Sequence, residues 1–211
     1  MNKNKSWLIF FLGLVLGGSF IYFISNSQQN IVSNKPLPSS DSSNSIKQKT
    51  EEVDYIQTYI PKDSKSGSCW TTSIASANGK AWRCTVDNSI YDPCFEIDKN
   101  KLVCGIDPET TQGGFVLNLT KALPPREDLS TSDRFYWIVK LANGTKCWLI
   151  TGTAGMVNGK LYYYTCDKDN AVIVGKLDKS TNPWSADVAY LKKNSEEALR
   201  TERTEILKVW K

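Results

Sequence analysis

Six cysteines, a cluster of carboxylates and a set of tryptophans and tyrosines are the residues of this chain whose types could do chemistry. The carboxylates Asp92, Glu96, Asp98, Asp107 and Glu109 crowd around the interval from Cys94 to Cys104. Two such groups, one protonated and one ionised, can hydrolyse a glycosidic bond with no further catalytic side chain. Asp-Pro at 92–93 and 107–108 offers a plainer reading, because that dipeptide starts turns. Histidine is absent from all 211 residues. Its absence excludes the usual general base near neutral pH, the Ser-His-Asp and Cys-His nucleophile arrangements, and every zinc site with a His ligand. There is no G-x-S-x-G, no S-x-x-K with K-T-G and no P-loop. The run "CDKDN" at 166–170 lacks the glycine and distal Glu of a calcium loop and reads as a solvated turn. No catalytic residue, metal site or cofactor is therefore assigned, and the reading leans away from an enzyme.

The cysteines stand at 69, 84, 94, 104, 147 and 166. An even count beyond an apolar amino-terminal segment, with no C-x-x-C pair, reads as three structural disulfides. Two stretches repeat one pattern: "CWTTSIASANGKAWRCTVDNSI" at 69–90 and "CWLITGTAGMVNGKLYYYTCDKDNAV" at 147–172. Each opens on Cys-Trp, carries Asn-Gly-Lys before a second Cys, and places Asp-Asn three and four residues beyond it. Local pairing, 69–84, 94–104 and 147–166, would give each repeat its own bridge. Geometry objects for two of them. A regular hairpin folded at Asn78-Gly79 sets Cys84 opposite Ser73, four residues from Cys69, and the second repeat has the same offset. Four strand residues span about 13 Å, whereas a disulfide needs Cβ atoms about 4 Å apart. Either the strand bends back at its start, for which Gly152 and Gly155 offer a means in the second repeat, or each Cys has another partner. Cys94 and Cys104 face each other across a turn centred on Lys99 without such difficulty.

The aromatic residues flank these cysteines. Tyr162, Tyr164, Trp148 and Trp70 are the candidate binding residues, as a platform for sugars or peptidoglycan. The competing reading makes them core, because aromatic rings bury the most area available to a small domain. In "YYY", strand alternation turns Tyr163 away from Tyr162 and Tyr164 and leaves one face of the run to solvent.

The elements that must hold these residues read as β. Asn143-Gly144, Asn158-Gly159 and Asn78-Gly79 each interrupt β-branched and aromatic runs, the short-range signature of a hairpin. "FEIDKNKLV" is a fourth candidate hairpin, and "GGFVLNLTKAL" and "NAVIVGKL" are further strands. From 185 to 211 a helix and a closing hairpin compete, and the hairpin is preferred because a β domain needs its edges covered. The expected fold is all-β and mostly antiparallel, a small disulfide-stapled sandwich or barrel behind an amino-terminal transmembrane helix.

That helix is read from residues 7–24, "WLIFFLGLVLGGSFIYFI", eighteen uncharged residues after Lys3 and Lys5. As a helix they span about 27 Å, close to a hydrocarbon core of roughly 30 Å. The flanking lysines place the amino terminus in the cytoplasm and the rest outside. A cleaved signal peptide is the alternative, which would leave a secreted domain. Residues 1–24 thus form a cytoplasmic tip and anchor, 25–52 a Ser/Asn/Gln-rich tether and 53–211 the extracytoplasmic domain. Residues 1–50 hold five Lys and one Asp, so the other 161 residues carry 21 basic and 21 acidic groups. A neutral domain lacks the electrostatic footprint of a nucleic-acid binder.

The run "SCWTTSIASANGKAWRCTVDNSIYDPCF", with "LVCGIDP" and "LANGTKCWLITGT" after it, resembles an uncharacterised family of exported, membrane-anchored bacterial proteins. The resemblance covers roughly residues 67–190, is most specific from Ala81-Trp82-Arg83-Cys84 to Asp92-Pro93-Cys94-Phe95, and implies export without an assigned activity. These readings converge on a non-catalytic, membrane-tethered module that binds an envelope polymer or a partner protein. A carboxylate-based cell-wall or polysaccharide hydrolase is the alternative.

Overall fold

The structure, a computed structural model, describes residues 48–110, 112–127 and 135–211. The anchor segment 7–24 and the tether up to residue 47 lie outside the described residues. Among the described residues no helix is long and apolar enough to cross a membrane. Residues 51 and 52, assigned above to the tether, belong to a strand. Strand β1 (Glu51–Val53) runs parallel to the last strand of the chain, and the Thr50 hydroxyl donates to the Ile206 carbonyl at 2.7 Å.

The fold is all-β, but it contains two closed barrels where one sandwich or barrel was expected. The first comprises β2 (Ser64–Thr72), β3 (Ala81–Val86), β4 (Ser89–Asp98), β5 (Lys101–Asp107) and β6 (Gln112–Leu119). These strands follow one another as an antiparallel meander, and β2 closes the ring by pairing in parallel with β6. An odd number of strands in a closed meander requires one such parallel seam. The second ring joins β7 (Ile138–Leu141), β8 (Lys146–Leu149), β10 (Lys160–Cys166), β11 (Ala171–Asp178), β12 (Ser185–Leu191) and β13 (Ala198–Trp210), with the short β9 (Met156–Val157) beside β10. Strand β13 closes it, pairing with β12 through Ala198–Glu205 and with β7 through Ile206–Trp210. The carboxy terminus is thus the closing hairpin and not a helix. Ile206, Val209 and Trp210 are buried there, where a helix would leave one edge of β7 and one of β12 open.

All three disulfides are local: Cys69–Cys84, Cys94–Cys104 and Cys147–Cys166. The register objection is resolved differently in each repeat. In the first, no hairpin forms at Asn78-Gly79. A longer loop, 73–80, separates β2 from β3, and a bulge at Trp70 lets Cys69 stand directly opposite Cys84. Asn78 and Gly79 only form the turn that delivers the Ala81 amide to the Asn78 carbonyl, with neither residue at positive φ. In the second repeat the Asn158-Gly159 hairpin does form, with φ of 49° and 75°, but pairs only two residues on each side. The chain then bows outward between Ile150 and Gly155 and returns to set Cys147 opposite Cys166. At Gly155 the Tyr162 ring end occupies the space a Cβ would take, so a larger residue there would displace that ring. The repeated Asp-Asn marks the true tight turns: Asp87-Asn88 and Asp169-Asn170 all have positive φ.

Alternation explains how the barrels share a core. In the first barrel Trp82, Cys84, Cys94, Leu102, Cys104, Phe115 and Leu117 fill the interior. Their strand neighbours Ala81, Phe95 and Val103 point the other way and join the core of the second barrel, with Trp137, Val139, Leu141, Ile173 and Val188. Tyr55, Phe95 and Trp137 meet at this junction with ring centroids 5.0–5.5 Å apart. A separate patch of Val157, Val172, Val174, Ala189 and Leu191 lies under the β9 hairpin.

Candidate functional site

A cleft lined by aromatic side chains and a carboxylate lies between the barrels. Its cavity of about 250 Å³ is lined on one side by Ile90, Tyr91, Asp92, Pro93, Gly105 and Ile106. Trp137, Trp148, Leu149 and Thr151 line the other. Two bonds hold the walls together: Thr151 donates from its hydroxyl to the Ile90 carbonyl at 2.7 Å, and Arg83 donates to the Thr151 carbonyl at 2.5 Å. The pocket size suits a single sugar-sized ring, and aromatic faces with one polar group are the usual lining of a small-molecule site.

Among the described residues that line the cleft Asp92 is the only carboxylate, and its side chain is fully covered. Expected as a turn residue, it instead sits within β4, ahead of a cis peptide bond to Pro93. Its carboxylate accepts from the Ser73 hydroxyl and from the Ile74 amide at 3.2 Å, while the Arg83 guanidinium stands 4.0 Å away. Burial dominates over these stabilising partners and pushes its pKa up to about 6. The loop 73–80 is built around this carboxylate. Ser73 Oγ also accepts from the Ala75 and Ser76 amides, so one side chain organises the turn and holds the acid.

The other acidic candidates do different work. Asp107 and Glu109 reach from the β5–β6 turn to Lys146 at 2.7 and 3.1 Å, and Glu109 reaches Lys140 at 2.8 Å. Burial alone would raise Asp107, but the Lys146 bond and the Glu109 amide outweigh it and lower its pKa. The Lys140 bond, then Lys146, lowers that of Glu109. Both groups are held ionised as a clamp between barrels, and Asp107-Pro108 does form the expected turn, with Asp107 accepting from the Glu109 amide. Glu96 is half-buried and Asp98 exposed on β4, and neither lines the cleft.

The four aromatic candidates separate. Trp148 lines the cleft, with Lys146 Nζ 5.7 Å from its ring centroid. Trp70, 45% exposed at its bulge, lies 5.6 Å from the Arg83 guanidinium and so flanks the bonded wall of the cleft. Tyr164 is a correction: it is buried, and its hydroxyl accepts from the Tyr136 amide at 3.2 Å. Tyr162 packs toward the patch beneath the β9 hairpin. The expected alternation fails because β10 is bulged between Tyr162 and Tyr164, so Tyr163 turns onto Phe135 at 5.1 Å and joins the same core as Tyr164. Tyr91, Trp137, Arg83 and Thr151 were missed as site residues. "IYDPCF" held a usable signal, since a Tyr-Asp-Pro inside a β-branched run is poorly suited to a plain central strand.

No family model, curated protein or solved structure matches the chain.

Proposed function

We propose that the chain is a membrane-tethered module of the cell envelope that binds a sugar unit of an envelope polymer in the cleft between its barrels, without turnover. The observation that carries this reading is the convergence of Tyr91, Trp137 and Trp148 around a cavity of about 250 Å³, on a wall that the buried Asp92 fixes through Ser73 and Ile74. Aromatic faces stack on the apolar faces of a pyranose, while Asp92, whose covered carboxylate is taken by Ser73 and Ile74, holds the wall behind them in shape. Three disulfides suit an oxidising compartment, and segment 7–24 supplies the anchor.

The hydrolase alternative draws on one observation, the elevated pKa of Asp92, which suits a general acid. It needs a second carboxylate across the scissile bond, and Asp107 and Glu109 are committed to lysines. Co-sedimentation of the full chain with insoluble peptidoglycan, wild type beside Trp148→Ala, tests the proposal. Binding reduced at least about tenfold by the substitution is expected, the loss of one stacked ring. Binding indifferent to Trp148 would refute the cleft as the site. Release of soluble fragments that stops in Asp92→Asn would replace binding with hydrolysis.

A further inference from the structure

The two bridges of the first barrel lie against each other. The Sγ atoms of Cys84, Cys94 and Cys104 are all within 4.8 Å of one another. Register brings this about: Trp82 stands opposite Cys94 on the neighbouring strand, and Cys84, two residues on, turns by strand alternation to the same face and into the interior that holds the Cys94–Cys104 bridge. Exposure is unequal. Cys84, Cys94 and Cys104 are wholly buried, while Cys69 keeps 8% of its surface. All six cysteines are oxidised, so no thiol attacks within the resting protein. Cys147–Cys166 has no third sulfur in such a cluster.

We propose that the first barrel is a thiol–disulfide relay that accepts a small external thiol at Cys69. The external thiolate bonds to Cys69 Sγ, the Cys69–Cys84 bond breaks, and Cys84 leaves as a thiolate. That thiolate lies within 4.8 Å of both sulfurs of the second bridge. It bonds to one of them, the Cys94–Cys104 bond breaks, and the displaced cysteine takes up the proton that the external thiol gave up. The number of disulfide bonds is the same before and after, so no oxidant is consumed. The exchange removes the covalent link between β2 and β3, which stay paired through their backbones, and ties β3 instead to β4 or β5. Strand β2 leads directly into Ser73, which holds Asp92, so the state of the relay is felt at the cleft. This inference does not depend on what the cleft binds.

Reduced glutathione is the probe. The full chain is exposed to it, quenched in acid, alkylated and mapped as non-reduced peptides. The relay predicts glutathione on Cys69, alkylation on Cys94 or Cys104, and Cys84 bridged to the other. Alkylation of Cys84 with Cys94–Cys104 intact overturns it, as does a protein in which Cys69 takes up no glutathione. Cys69→Ser supplies the attacking thiol without a reagent. Cys84 bridged to Cys94 or Cys104 in at least about a tenth of molecules supports the relay, and Cys84 fully alkylable contradicts it. In Cys147→Ser, Cys166 is expected to remain a free thiol, and its pairing with a distant cysteine would mean that exchange is not confined to the cluster. Should Cys69→Ser fail to fold, the glutathione experiment on the wild-type chain decides alone.

Discussion

The two barrels of this protein solve the same packing problem by different means. Of the nine buried residues that fill the first, four are half-cystines: Cys69, Cys84, Cys94 and Cys104. The second closes over large side chains such as Tyr164, Ile138, Leu141, Ile173 and Ile206, with a single bridge between β8 and β10. A five-stranded ring leaves little interior, and covalent sulfur fills it where further Leu or Phe would overpack. The first barrel also gives its outward residues away: Ala81, Phe95 and Val103 serve the core of its neighbour. It therefore behaves as a stapled plug on a conventionally packed barrel, and their contact line is where the cleft forms.

The largest effect should come from the staples. Replacing Cys69, Cys84, Cys94 and Cys104 together by Ser removes two bridges worth about 3 kcal/mol each in the chain-entropy model. Denaturant melts should show the second barrel outlasting the first, whereas replacing Cys147 and Cys166 should cost about 3 kcal/mol without separating the transitions. A single cooperative loss in both variants would erase the distinction drawn between the barrels. Next is Phe95→Ala, which opens a cavity at the junction and is expected to cost about 3–5 kcal/mol by chemical denaturation. A loss below about 1 kcal/mol would mean that the barrels are not held by a common core.

Asp92 gives a pH signature of intermediate size. Its folded pKa of about 6 exceeds the unfolded 3.8, so its stabilising contribution is fully present below the unfolded value and is lost as pH rises through 6. The loss amounts to about 3 kcal/mol. Asp92→Asn should flatten that part of the pH–stability curve between pH 4 and 7; an unchanged slope would mean that the carboxylate is solvated. The smallest effect belongs to Lys146→Ala, which unpairs Asp107 across the barrels and leaves Glu109 with Lys140 alone. About 1 kcal/mol, shrinking as salt is added, is expected from a partly exposed network.

Much of this architecture could be read from the chain, and the unread parts share a cause. The Cys94–Cys104 bridge, the β13 hairpin and the Asn158-Gly159 turn were legible because each is decided within about twenty residues, whereas the other two bridges turned on a bulge at Trp70 and a bow at 150–155 that the residue spacing does not show. Asn78-Gly79 misled because an Asn-Gly step serves equally well as an ordinary turn when Ser73 and Asp92 hold the surrounding loop. The tight turns were instead written in the repeated Asp-Asn, at Asp87-Asn88 and Asp169-Asn170. Ring closure was not legible, since the β2–β6 and β7–β13 seams join segments that local periodicity does not connect. For the same reason Trp148 could be nominated, while its partners Tyr91, Asp92 and Trp137 could not be gathered around it.

The account stands or falls on whether the cleft is where ligand is taken up. The indole N–H resonances of the ¹⁵N-labelled chain, followed while soluble peptidoglycan fragments are added, report on this directly. Trp137 and Trp148 should shift together and saturably, with Trp82 and Trp210, buried elsewhere, unmoved. Shifts confined to Trp184 or Trp70, or no shift at all, would contradict it.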